Sequence, residues 1–208
     1  MPSPRLGGRR GAFTAAATAC AAAGSVLIAL GLPTPQPPPP PAPTTPAPAA
    51  APSPPGPHWR PLPRSEPSRI RVPALGLSTP VEPVGLDADD SIALPRDPAH
   101  AGWFTHSPTP GESGNVLLVG HLDSATGPAA FYGLGALRPG DRIVIDRHDG
   151  QPAAYAVTQT GVHPKNAVPA TVYAPTTAPR LTLITCADWD PSRRAYRANL
   201  VLTASPVP

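Results

Sequence analysis

Residues 69–208 predict a mainly β domain, folded as a closed or nearly closed antiparallel barrel, with an open sandwich as the alternative. Three observations lead there. Six β-rich apolar runs crowd into this stretch. Turn clusters such as RPGD, HDGQ and TPGESG bound them. Only one segment reads as a short helix, and no internal repeat is visible.

The runs come in the following order. RIRVPAL (69–75) is the first, and NVLLVGH (115–121) the second. AAFYGLGAL (129–137) is the helix candidate, weakened by its two glycines. DRIVID (141–146) and AAYAVTQT (153–160) flank His148-Asp149-Gly150-Gln151, which reads as a hairpin turn. RLTLITC (180–186) and AYRANLVLTA (195–204) close the series, joined by a loop short enough for a hairpin.

Upstream, the chain changes character. Residues 33–68 form a Pro-rich linker reading PTPQPPPPPAPTTPAPAAAPSPPGPHWRPLPRSEPS, which lacks the large apolar side chains that offset ordering entropy. It is expected to be disordered and partly polyproline II. Residues 11–32 form an uncharged, Ala-rich run of about bilayer length. Arginines 5, 9 and 10 in the basic segment 1–10 precede it, which places that segment in the cytoplasm and the domain outside. A single-pass membrane anchor is expected, with a cleaved signal peptide as the competitor. The formal charge of +3 comes from this arm. Residues 1–69 carry six arginines against Glu66, and the remainder holds 10 basic and 12 acidic residues. The basic balance therefore does not indicate a nucleic-acid partner.

Cysteine usage narrows the function. An exported domain normally pairs its cysteines, yet this one has Cys186 alone. Such a thiol is either reactive or buried and inert. Alternation places Thr182, Ile184 and Cys186 on one face of a strand, with the cysteine at its end. A thiol is mostly protonated at neutral pH and needs a basic or cationic partner to act as a nucleophile. Of the exported histidines, His58 falls in the linker, and His100, His106, His148 and His163 fall in loops or turns. His121 ends a strand, as Cys186 does, and Gly120 before it permits a close approach. Asp123 is a candidate to orient the ring, or simply a turn residue. Arg197 lies on the strand after Cys186 and supplies a fixed guanidinium for an oxyanion or a peptide carbonyl.

LITC, followed a dozen residues later by YR and a β-rich run, resembles the sortase signature. GNVLLVGHLD and GPAAFYGLGALRPGD resemble the histidine segment of actinobacterial sortases of classes E and F, as does GWFTHSPTPGESGN upstream. HPKNAVPATVYAP falls where those proteins carry a substrate-facing loop. The resemblance spans residues 69–207. It departs after the nucleophile, where relatives often have two glycines and this chain has Ala187-Asp188.

The resemblance implies a closed eight-stranded β-barrel with short helices and a cysteine transpeptidase site of Cys186, His121 and Arg197. It implies a thioester acyl-enzyme formed on an exported protein with a C-terminal LPxTG-like sorting signal, then resolved by an amine of a cell-wall precursor or another protein. No metal and no cofactor are implied. Thr185 is a candidate helper at the oxyanion, or an ordinary strand residue. Val168, Ala170 and Val172 are candidates for substrate contact or core filling in the loop. Competing readings are an L,D-transpeptidase-like wall enzyme, which lacks its SHG-C segment here, and a surface binding module with an inert Cys186. A metallohydrolase using His106, His121 and Asp123 matches no zinc spacing.

Overall fold

The sheet closes on itself. A computed structural model describes residues 60–207, so the expected anchor over 11–32 and most of the Pro-rich linker lie outside the described residues. Ten strands are formed: β1 (Pro67–Val72), β2 (Leu77–Val84), β3 (Ala101–Phe104), β4 (Asn115–Gly120), β5 (Asp123–Ser124), β6 (Gly127–Pro128), β7 (Arg142–Arg147), β8 (Ala153–Pro164), β9 (Arg180–Asp190) and β10 (Ala195–Pro206). Eight of them make a closed barrel in the order β1-β2-β3-β4-β9-β10-β8-β7, and β5 and β6 pair separately. The eight-stranded barrel is as expected, but it is not purely antiparallel. The β2–β3 and β4–β9 pairs are parallel. A parallel neighbour needs a crossover. Residues 85–100 make the first crossover and everything from β5 to β8 makes the second.

Side-chain alternation fills the interior. Val116 and Leu118 from β4, Leu181 and Leu183 from β9, and Leu200 and Leu202 from β10 meet Ile70, Ile143, Ile145 and Tyr155 in one core. Burying each of these large side chains contributes roughly 1.5–3 kcal/mol. β4 is buried along its whole length. Its second face (Val119) joins Val84, Ile184, Val172 and Val201 in a smaller cluster outside the barrel wall. A strand covered on both faces reads as a continuous apolar run, which is why NVLLV shows no alternation.

Four sequence expectations change. β2 and β3 are missing from the predicted runs; β2 contains Pro80 and Pro83, which count against a strand in any sequence reading. The segment 129–137 forms only a 3₁₀ turn at Leu134–Ala136, pinned by buried Phe131, Leu134 and Leu137. β9 continues to Asp190, so Cys186 is not at a strand end. Ordered chain also starts before Arg69: Leu62 packs on the core, and its amide donates to the Gly111 carbonyl at 2.8 Å.

Candidate active site

β4 and β9 lie side by side and run in the same direction, with Val119 level with Ile184. His121 directly follows the end of β4, and Cys186 lies two places past Ile184 on β9, so both stand at the same end of this pair. The Thr185 hydroxyl donates to the Gly120 carbonyl at 2.8 Å, tying the strands just before those two residues. Thr185 is buried, and its hydroxyl hydrogen is spent on this tie. Gly120 is required by packing: a Cβ there would sit 2.7 Å from the Phe131 ring. The Phe131 amide in turn donates to the His121 carbonyl at 2.9 Å.

The His121 ring is held from above by the crossover after β2. Its Nε2 lies 2.9 Å from the Pro95 carbonyl. A carbonyl only accepts, so Nε2 carries hydrogen, and in the neutral ring Nδ1 is left with the free lone pair. Asp123 bonds elsewhere, accepting the Tyr196 hydroxyl. That carboxylate and burial together raise the Tyr196 pKa, burial most. Tyr196 packs on Trp189 across the β9–β10 hairpin, ring centroids 5.0 Å apart.

Cys186 points to the outer face of the wall and is half-buried, with a free thiol. Burial pushes its pKa up. Lys165 opposes that rise and Asp123 adds to it. Directly across on β10 stands Asn199. Arg197 lies two residues back along β10, past the Ala198–Ala187 pair, and meets Asp188. Its Nη2 sits 3.0 and 2.8 Å from the two Asp188 carboxylate oxygens, and its Nε is 4.0 Å from Asp190. The Asp188 hydrogen bond and charge raise the Arg197 pKa. Asp188 has φ 59°, a left-handed conformation that costs a non-glycine residue energy. This is the position where glycine is expected from the resemblance.

A cavity of about 770 Å³ opens beside the thiol. Phe104, Leu117, Val119 and Ile184 make it apolar; Cys186, Thr185 and Asn199 line one side, and Lys165, Tyr173, Asp87 and Asp89 line others. His121 and Arg197 stand outside this lining. Of the three loop residues singled out in sequence, Val172 is buried in the outer cluster, Val168 packs against it, and Ala170 is exposed. The loop meets the cavity through Lys165 and Tyr173 instead. Asn115 fixes the loop from below. Its Nδ2 donates to the Val172 carbonyl at 2.8 Å, and its Oδ1 accepts from Thr182 and Arg180. No group of three or more His, Cys, Asp or Glu side chains able to hold a metal occurs among the described residues.

A family model, the sortase domain, matches residues 70–207. The chain belongs to the sortase family. Sortases are cysteine transpeptidases, so this chain is an enzyme of that class. Solved sortases share the fold. Sortase C1 from Streptococcus agalactiae is 18% identical over 68% of this chain and 67% of its own, with a TM-score of 0.54. Sortase A from Listeria monocytogenes is 21% identical over 69% and 88%, with a TM-score of 0.52. Sortase C-1 from Actinomyces oris is 23% identical over 67% and 73%, with a TM-score of 0.51. No curated protein sequence matches. Sequence reasoning about this sortase passed over Asn115, Lys165, Tyr196 and Asn199. Lys165 and Asn199 sit inside the segments HPKNAVPATVYAP and AYRANLVLTA. Which wall face they share shows only once β8, β9 and β10 are paired.

Proposed function

We propose that this sortase cleaves an LPxTG-like sorting signal near the C terminus of an exported protein and joins the new end to an amine of a cell-wall precursor or another protein. The parallel β4–β9 pairing, which brings His121 and Cys186 to the same end of the two strands, with an apolar cavity beside Cys186, carries this reading.

Cys186 Sγ attacks the carbonyl carbon of the residue before the scissile bond. Burial keeps the thiol protonated at neutral pH, so its proton must leave as the S–C bond forms. His121 Nδ1 is the base for that proton, because Nε2 is committed to Pro95. The tetrahedral oxyanion collapses, the C–N bond breaks, and His121 returns the proton to the departing amine. A thioester remains on Cys186. The acceptor amine attacks it, loses a proton to His121 and forms the new amide as the thiolate leaves. Arg197 stabilises the oxyanion once the substrate draws it from Asp188. The segment 11–32 anchors the enzyme in the membrane, with the catalytic domain outside, where exported substrates retained by apolar tails present their signals.

The test uses the full chain and a panel of LPxTG-like peptides. Mass spectrometry should show an acyl adduct on Cys186 in the wild type, with Cys186→Ala giving none. Identical behaviour of the two across the panel sinks the reading. His121→Ala and Arg197→Ala should each lower the acylation rate, by about 10²–10³-fold for the oxyanion donor.

A further inference from the structure

Asn199 is the cross-strand partner of Cys186, and it lines the same cavity. Its neighbours on the outer face of β10 are Arg197 and Val201; Val201 belongs to the apolar cluster beneath the cavity. The residues alternating with it, Ala198 and Leu200, face the core. So the chain sets a neutral amide between Arg197 and the apolar Val201, level with the nucleophile. Among the described residues that carboxamide makes no hydrogen bond. A half-buried amide without a protein partner beside a reactive thiol is placed to bond whatever fills the cavity.

What it bonds follows from its chemistry. A carboxamide offers one donor and one acceptor side by side. A residue of an extended peptide offers a matching N–H and C=O along one edge. Directly opposed cross-strand side chains have Cβ atoms about 4.5–5.5 Å apart, and an extended peptide rises about 3.3 Å per residue. The reach of Asn199 therefore covers the peptide within about two residues of the carbonyl that Cys186 attacks.

Resting on the transpeptidase reading above, we propose that Asn199 is a substrate-positioning residue that hydrogen-bonds the main chain of the sorting segment within about two residues of the scissile bond. It reads backbone, not sequence, while the apolar floor selects side chains. It differs from Arg197 in kind: a neutral amide beside the thiol lowers the cost of holding the peptide in register without biasing the thiolate.

The experiment measures single-turnover acylation of Cys186 by the peptide panel, in full-chain wild type, Asn199→Ala and Asn199→Asp. Both variants should lose at least tenfold in kcat/KM, while the rate of Cys186 alkylation by iodoacetamide and the melting temperature of Asn199→Ala stay as in wild type. An amide-to-ester scan of the best peptide then locates the contact. One ester position should slow the wild type and leave Asn199→Ala unaffected, because the variant has already lost that bond. Equal kcat/KM in wild type and Asn199→Ala, or ester penalties that are the same in both at every position, overturns the proposal while leaving the transpeptidase reading intact. A wild type that alkylates normally but is acylated by no peptide removes that reading, and the proposal with it.

Discussion

At the scale of single residues, the nucleophile is set by opposing charges. Burial raises the Cys186 pKa, Lys165 draws it back and Asp123 pushes it further. Iodoacetamide reacts with the thiolate, so its rate against pH follows the ionisation. The midpoint should lie above that of an ordinary cysteine. Removing a cation disfavours the thiolate, so Lys165→Gln should move the midpoint up. Removing an anion favours it, so Asp123→Asn should move it down. Unchanged midpoints in both variants would mean that neither group senses the thiol. A second charge pair bears on the oxyanion. Asp188 holds Arg197 in an exposed ion pair from a left-handed backbone position. Exposed pairs are weak, so substrate draws Arg197 off at small cost. Asp188→Gly relieves the backbone and frees the guanidinium together. It should raise kcat/KM for acylation severalfold; a fall of tenfold or more would show that Asp188 positions Arg197 instead.

Elements decide where those residues meet. The β4–β9 tie from Thr185 to Gly120 and the Gly120–Phe131 contact fix the level of His121 against Cys186. Gly120→Ala would drive a methyl into the Phe131 ring, which is fully buried and cannot give way cheaply. Overpacking of this kind costs about 1–3 kcal/mol. The variant should melt lower and lose acylation disproportionately, since the strand end carrying His121 must move. An unchanged rate with a lowered melting temperature would separate the packing from the site. These elements were partly legible in sequence. β4, β7, β9 and the inner half of β10 announce themselves as apolar runs, and the short loop after LITC pointed to a hairpin that β9 and β10 form. β2 was hidden by Pro80 and Pro83. The two prolines are tolerated because each sits where β2 is paired on one side only: the β1 ladder ends at Pro80, and the β3 ladder, which holds Pro83, begins at Val81. The parallel β4–β9 pairing was illegible for another reason: residues 65 apart become neighbours only through the crossover, and no local pattern encodes it. The same gap hid Asn199, whose partner across the sheet is Cys186.

For the molecule as a whole, closure of the barrel removes free sheet edges and puts the site on the outer wall, beneath two crossovers, with the N-terminal strap tied to the opposite side. That strap is fastened by Arg147, a buried arginine at the end of β7. Its Nη1 donates to the Pro110 carbonyl at 2.8 Å and its Nη2 to the Pro63 carbonyl at 2.6 Å, while Nη2 also pairs with Asp149 at 2.6 Å. Gly111 lies against the guanidinium and Leu62, with φ 95° and no room for a Cβ. Its amide donates to the buried Tyr155 hydroxyl at 2.8 Å. One side chain thus joins the strap, the loop before β4 and the β7–β8 turn. Arg147→Met keeps the volume and deletes every bond, leaving two carbonyls short of a donor, a loss on the order of 3 kcal/mol. The melting temperature should fall, and limited proteolysis should cut between residues 60 and 67 before any site in the barrel. Cys186 alkylation should hold at its wild-type rate, because no residue of the strap lines the cavity at Cys186. Were alkylation to change in step with cleavage, the strap would be coupled to the catalytic wall through the barrel. The independence of its two sides would then be lost.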